Sequence, residues 1–375
     1  MKLIAEYVSP GHPDRLCDNI VKRIVDLTVH YDDKALVGIE CAVHTNNVFI
    51  DGRIAQACRN SDYLMTYGII EDLIREVYAD DGYNKKYGPD PNDLIITNDV
   101  CLDELSDAER KIRKYSDDQN IVCGFAINDV NTRYLPIEHY LANYIGENLW
   151  KWYKENKIDF LGPDFKVMVE IEENNSISYS DYSYDWNRLT LSFQHDNSIS
   201  YEDLYKTVKA QVDKILAQFV SEIKVNKDNY KNLKDIDDDK FLFNGAGDFI
   251  QGGPHGDNGL SGKKLVIDYY GPRVPIGGGA IYGKDYHKVD FCGAFRARQF
   301  ALNLLKENNS YMVYTKLAWS PGDEMPYLID AYQVDRFGTR LNFDEKSFPA
   351  RDWFSIECIN KDNNFKEKQR IIDYY

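Results

Sequence analysis

Residues 244–290, NGAGDFIQGGPHGDNGLSGKKLVIDYYGPRVPIGGGAIYGKDYHKVD, carry half of the chain's 24 glycines. The interior of a helix or strand does not accept that density, because each glycine there costs backbone entropy and gives nothing to pack. The stretch is therefore expected to be looped backbone, shaped around something it approaches closely. Lys263, Lys264, Lys284, Lys288 and Arg273 are interleaved with the glycines, in a chain whose formal net charge is −16. Exposed amides beside basic side chains suit a polyphosphate. Asp257 and Asp290 stand among these cations, which suits a metal or a ribose hydroxyl. Surface turns with Asp290 as a helix cap are the plainer reading, but they need neither the clustered lysines nor Gly277-Gly278-Gly279.

A second segment, Ser9-Pro10-Gly11-His12-Pro13-Asp14, lies directly before an apolar stripe (Leu16, Ile20, Ile24, Leu27) that predicts a helix over 14–29. A helix start offers free N–H groups and partial positive charge to a phosphate. His12 then suits a phosphate or leaving oxygen, and Asp14 a magnesium carried on that phosphate. The competing reading makes Asp14 the helix cap, with Gly11 and Pro13 shaping the turn.

Elsewhere strands alternate with helices. Ala35–His44 and Val48–Ile50 read as a hairpin through 45–47, followed by a helix over 61–79 and a strand at Leu94–Thr97. Residues 98–119 are polar and fit either a surface helix or linker, or a mobile loop over a site. A second unit holds the strand Ile121–Ile127, a helix over 134–153, strands Phe165–Glu172 and Leu189–Phe193, and a helix over 201–220. The acidic, Asn-rich stretches 173–187 and 226–240 read as exposed insertions. A third unit holds the strand Lys264–Tyr269, a helix over 290–306, and strands Tyr311–Trp319 and Tyr327–Val334. At 375 residues, two or three domains fit, and the repeated α+β pattern favours three.

The pI of about 4.9 argues against nucleic acid and anionic membrane as partners. Seven dispersed cysteines without a C-x-x-C pair (Cys17, Cys41, Cys58, Cys101, Cys123, Cys292, Cys358) point to reduced thiols and away from structural zinc. No run approaches the length of a membrane span or a signal peptide, so a cytoplasmic protein is expected. The Walker A, G-x-G-x-x-G, G-x-S-x-G and H-E-x-x-H patterns are all missing.

Gly11-His12-Pro13-Asp14, the block Gly252-Gly253-Pro254-His255-Gly256-Asp257-Asn258-Gly259-Leu260-Ser261-Gly262-Lys263-Lys264, and Gly277-Gly278-Gly279-Ala280 through Gly283-Lys284-Asp285 to Lys288-Val289-Asp290 resemble the S-adenosylmethionine synthetase (methionine adenosyltransferase) family. The resemblance is firm over the first hundred residues and 244–306 and looser elsewhere. It implies three βαββαβ-type domains around a pseudo-threefold (1–100, 114–243 and 244–375, with 98–117 as the active-site loop). It also implies flat sheets forming a homodimer or dimer of dimers, with active sites in the interface. The reaction implied is attack of methionine sulfur on C5′ of ATP, expelling tripolyphosphate, which is then hydrolysed to phosphate and pyrophosphate. By the same resemblance His12 contacts the ribose–phosphate junction, Asp14 and Asp290 ligate Mg²⁺, and Glu40 is the K⁺-site glutamate. Lys263, Lys264 and Lys284 neutralise the tripolyphosphate, Phe249 stacks on adenine, and Ala280 lies in the ATP pocket. Asp257 and Lys288 match the ATP–methionine junction. Asp118, Asp164 and Lys166 match further family positions, Asp118 among the catalytic groups and the other two on ATP.

Departures are localised. Arg53 stands where the family has the glutamate that holds the methionine amino group, and Asp248 where it has an arginine before the stacking aromatic. The family's loop glutamine is not recognisable in 98–117, and the C-terminal region is short. The leading expectation is S-adenosylmethionine synthesis. The alternatives are a same-fold relative using another sulfur acceptor or only hydrolysing triphosphate, and a catalytically silent regulatory partner.

Overall fold

The computed structural model describes residues 1–57, 64–175, 182–365 and 370–373. Cys58, residues 61–63 of the expected second helix, and 176–181 of the expected insertion lie outside them. In chain order the elements are β1 (Lys2–Val8), α1 (Pro13–Tyr31), β2 (Leu36–His44), β3 (Asn47–Gln56), α2 (Tyr67–Asp80), β4 (Ile95–Glu104), α3 (Asp107–Ile112), β5 (Asn120–Ile127), α4 (Ile137–Asn156) and β6 (Leu161–Asn175). They continue with β7 (Tyr182–His195), α5 (Tyr201–Glu222), β8 (Phe241–Phe243), β9 (Gly259–Leu260), α6 (Leu265–Asp268), α7 (Val289–Asn308), β10 (Met312–Trp319), β11 (Leu328–Val334), β12 (Arg340–Asn342) and α8 (Ile356–Asp362).

The strands form three four-stranded sheets, ordered β1-β6-β7-β8, β4-β3-β2-β9 and β12-β11-β10-β5. The protein is thus a three-domain α+β fold. Membership of the sheets crosses the order of the chain. β1, at the N-terminus, pairs antiparallel with β6, β5 pairs antiparallel with β10 nearly two hundred residues on, and β9 of the glycine-rich block pairs with β2. Each sheet buries one face on helices. The sheet containing β6 closes over α4 and α5 as one core, while the other two sheets share a core with α1, α2 and α7. Period-two alternation gives the reason: in β1, Leu3 and Ala5 are buried while Ile4 is 45% exposed.

Four expectations are corrected. The described residues of the expected 173–187 insertion are strand, in β6 to Asn175 and in β7 from Tyr182, with Tyr184 and Trp186 buried. Lys264–Tyr269 is helical over Leu265–Asp268, with Lys264 carbonyl accepting from Ile267 and Asp268 N–H. A short apolar run suits either helix or strand, and here the preceding loop selects the helix. Residues 227–233 are a 3₁₀ helix rather than an exposed insertion: Tyr230 and Leu233 are fully buried and Ile236 nearly so, at the three-residue spacing that stacks side chains in a 3₁₀ turn. The polar 98–112 stretch is strand to Glu104 and helix from Asp107, capped by a Ser106/Glu109 capping box.

Candidate active site

β1 ends with Val8 opposite Lys166. Beyond it, Ser9 Oγ donates to Pro163 carbonyl (2.7 Å) and accepts from Phe165 N–H (2.9 Å). This seats the 9–12 turn against 163–166 and brings Asp164 and Lys166 beside His12. A Cβ at Gly11 would lie 2.5 Å from Pro163 Cβ, so only glycine fits the contact. The Tyr83 hydroxyl donates to the Gly11 carbonyl and holds the turn from the other side.

His12, not Asp14, caps α1: its Nδ1 accepts from Asp14 N–H at 3.1 Å. The proton of the neutral ring therefore sits on Nε2, which is buried without a hydrogen-bond partner among the described residues. Burial, then the charge of Lys166, pushes the His12 pKa down to about 3, so the ring is a neutral donor at working pH.

Asp14 lies in the first turn of α1, almost wholly buried. Its carboxylate accepts from Leu260 N–H (3.0 Å) and lies 2.8 Å from Lys264 Nζ and 3.5 Å from Lys263 Nζ. Burial raises its pKa, but the Lys264 hydrogen bond and the Leu260 amide outweigh that and hold the carboxyl below its ordinary value. One turn on, Asp18 accepts from Gly262 N–H (2.8 Å), and Arg15 bridges Asp18 (3.1 Å) to Asp268 (2.6 Å). Burial raises Asp18 to about 7 against the opposing charge of Arg15. Asp14 and Asp18 thus grip alternate amides of the 260–262 loop, those of Leu260 and Gly262, and aim the two lysines that follow. Sequence reasoning passed over Asp18, Arg15 and Asp268; the i,i+4 spacing of Asp14 and Asp18 on one helical face was the available signal. Asp164 is buried, accepts from Gly253 N–H (2.8 Å), leaves Oδ1 unpaired and rises to about 6 through burial. Asp257 is exposed, and Phe249 is half-buried, its backbone N–H donating to His195 Nε2 (3.1 Å). His195 also faces Asp248, at 4.0 Å.

A second group forms elsewhere on β2. Lys284 bridges to Gly38 and its ammonium bonds Asp290 in the first turn of α7. Lys288 caps α7 and its Nζ lies 2.6 Å from Asp117 Oδ2, while the neighbouring Asp118 is exposed. Ala280 packs on Gly262, where φ is +72° and an added Cβ would sit 2.7 Å from that of Ala280. Glu40 points outward on β2, opposite Asp51, which in turn is opposite Asp99. Arg53 makes ion pairs with Asp103 (2.9 Å) and Glu109 (3.1 Å). Further pairs from Arg110 to Asp32 and Arg113 to Asp285 fasten the 105–118 segment to the sheet.

The two groups attach to β2 at different places, one beside Ala42 and Val43, the other at Gly38. At the usual rise for a strand, four residues separate them by about 13 Å. Among the described residues no ion pair or side-chain hydrogen bond joins them. Among the described residues no three His, Cys, Asp or Glu side chains converge to hold a metal.

Fold and site together define a three-domain α+β protein with a neutral histidine and two lysine-rich loops arranged for a polyphosphate. Sequence patterns of the S-adenosylmethionine synthetase N-terminal, central and C-terminal domains match residues 1–106, 113–249 and 251–357. The S-adenosylmethionine synthase of Petrotoga mobilis is 31% identical over 371 residues (93% of this chain, 85% of the relative), and that of Clostridium botulinum 30% identical over 351 (89% and 82%). An unusual S-adenosylmethionine synthetase from Campylobacter jejuni shares the fold, with a TM-score of 0.76 at 24% identity over 98% of this chain and 90% of the other. The chain belongs to the S-adenosylmethionine synthetase family, and its enzyme class is the ATP-dependent methionine adenosyltransferases.

Proposed function

We propose that this chain forms S-adenosylmethionine from ATP and L-methionine in the cytoplasm, with Mg²⁺ and K⁺, in active sites each assembled from two copies. The observation that carries the reading is the division of the phosphate-binding residues into two groups on one chain, the first holding Asp14 between Lys263 and Lys264 and the second holding Asp290 beside Lys284. A two-fold pair of subunits sets the first group of one copy against the second group of its partner. Exposed apolar residues on the outward sheet faces support such a pairing: Ile4, Phe49, Ile95, Ile121, Met168 and Leu260 are all more than a third exposed. Three domains over 1–100, 114–243 and 244–375 belong to the same reading.

In the proposed reaction the methionine sulfur lone pair forms the bond to C5′, the C5′–O bond breaks, and tripolyphosphate leaves with that electron pair. Alignment and charge stabilisation carry such a displacement, and no enzyme nucleophile is required. His12 Nε2–H donates toward the departing oxygen, and Lys166, Lys263, Lys264 and Lys284 meet the phosphate charge. Asp257 and Lys288 line the acceptor side, Asp118 stands with the catalytic groups, and Asp164, Phe249 and Ala280 line the nucleotide. Asp14 and Asp290 fit magnesium: one carboxylate from each group, with phosphate oxygens completing the shell, is how that ion is commonly held. It would supply neutralisation of the phosphates. Glu40 fits potassium, because the cross-strand row Glu40, Asp51, Asp99 sets like charges side by side, which a cation relieves.

The test is mass spectrometry on the purified chain with ATP, Mg²⁺ and K⁺, with and without methionine. Methionine-dependent S-adenosylmethionine is expected. Phosphate release without it would favour the other-acceptor reading, which Arg53 motivates.

A further inference from the structure

Arg53 and Gly38 are direct cross-strand partners, so the guanidinium rises from the sheet face on which a Gly38 side chain would sit. Lys288 already occupies that space: a Cβ at Gly38 would meet Lys288 Cε at 3.4 Å and Nζ at 3.8 Å. Lys288 therefore stands over Gly38, and Arg53 rises from the neighbouring strand on the same face. Both are held by acids on their far sides, Lys288 by Asp117 (2.6 Å) and Arg53 by Asp103 and Glu109. Both of the Arg53 bonds use Nη2; Nη1 and Nε carry none among the described residues, and the side chain is 36% exposed. A cavity of about 390 Å³ opens beside this group, walled by Glu109 and Asp117 and floored by apolar Leu36, Ile112 and Pro321. Leu36 is on the same strand face as Gly38, two residues away.

We infer that Arg53 is a specificity-determining residue for the sulfur acceptor: with Lys288 it receives the acceptor's α-carboxylate over Gly38, and the flanking Asp117 and Glu109 face its ammonium. The acceptor class is a zwitterionic α-amino acid with an apolar thioether chain. Two cations, Lys288 and Arg53, are flanked by three acids, Asp117, Asp103 and Glu109, which is complementary to a zwitterion and leaves no uncompensated positive charge to repel an amino group. A guanidinium with a free fork is well suited to a carboxylate.

This rests on the proposed function, and the test separates the two. Steady-state kinetics would be run on the native chain, Arg53→Gln and Arg53→Lys, with methionine, methioninamide (no carboxylate) and 4-(methylthio)butanoate (no ammonium), alongside the KM for ATP and thermal melting. Loss of a charge-assisted bond predicts a methionine KM raised about tenfold or more in Arg53→Gln, partial recovery in Arg53→Lys, and an unchanged KM for ATP. The native chain discriminates against methioninamide, and Arg53→Gln loses that discrimination. A methionine KM within twofold of native, or a rise matched by the KM for ATP together with a lowered melting temperature, would make Arg53 only a fastener of the 105–118 segment and overturn the inference. Absence of S-adenosylmethionine from the native chain would instead remove the function, and this assignment with it.

Discussion

If each active site takes His12 from one subunit and Lys284 from the other, two inactive variants restore each other. His12→Ala removes the neutral donor beside Asp14, and Lys284→Ala removes the ammonium bonded to Asp290. Their anchor points on β2 are about 13 Å apart along the strand, and the two residues are proposed to meet across the interface of two subunits. A mixed dimer then contains one site with both residues intact and one site lacking both. Co-expression with two different tags and sequential affinity purification isolates those mixed dimers. Each variant alone is expected to lose most turnover, and the mixed dimer to show about half of native activity per dimer, as two equivalent interface sites require. The assay is methionine-dependent S-adenosylmethionine formation, normalised to active dimer by ATP binding. A mixed dimer no more active than the two parents, at native stability, would refute the split site.

His12→Asn keeps a capping oxygen for Asp14 N–H but lacks the Nε2 donor. Because burial depresses the His12 pKa to about 3 from 6.5, the unfolded chain binds the extra proton between those values. The histidine's contribution is therefore present above pH 6.5 and lost as pH falls toward 3, with a slope of at most about 1.4 kcal/mol per pH unit. Acid titration of stability should be shallower in His12→Asn, and an identical slope would contradict the buried neutral ring. Gly11→Ala sets a Cβ 2.5 Å from Pro163 Cβ. It should cost about 1–3 kcal/mol by overpacking and displace His12, with turnover falling more than the melting temperature drops; native kinetics would refute it.

The elements with strong periodicity were legible. α1, α5, α7, β5, β10 and β11 fall within a few residues of expectation: α1 and α5 bury one regular face, while α7 and β5 are apolar runs buried nearly throughout. The glycine-rich loops were legible through composition, and the GHPD turn through its place before a helix. What stayed hidden was anything fixed by distant partners. No local pattern announces that β1 belongs beside β6, or that Asp18 holds Gly262 across 244 residues. The 98–119 segment stayed open between a surface helix or linker and a mobile loop because its partners are charges, Arg53 to Glu109, Arg110 to Asp32, Arg113 to Asp285, and polar anchoring leaves no hydrophobic period to read. The Lys264–Tyr269 run was ambiguous by length alone.

The crossing of strands between sheets also orders events in time. β1 is made first, but its hydrogen-bonding partner starts at Leu161, and β5 waits for Met312 on the far side of the glycine-rich block. During synthesis β1 therefore emerges as an unpaired strand and stays so until the residues from Leu161 onward have been translated. The sheet that seats His12 against Lys166 cannot close before then. Long-range pairing of this kind slows folding and exposes strand edges on the way, so a fragment stopping near residue 110 carries the GHPD turn but lacks the strand that gives it shape.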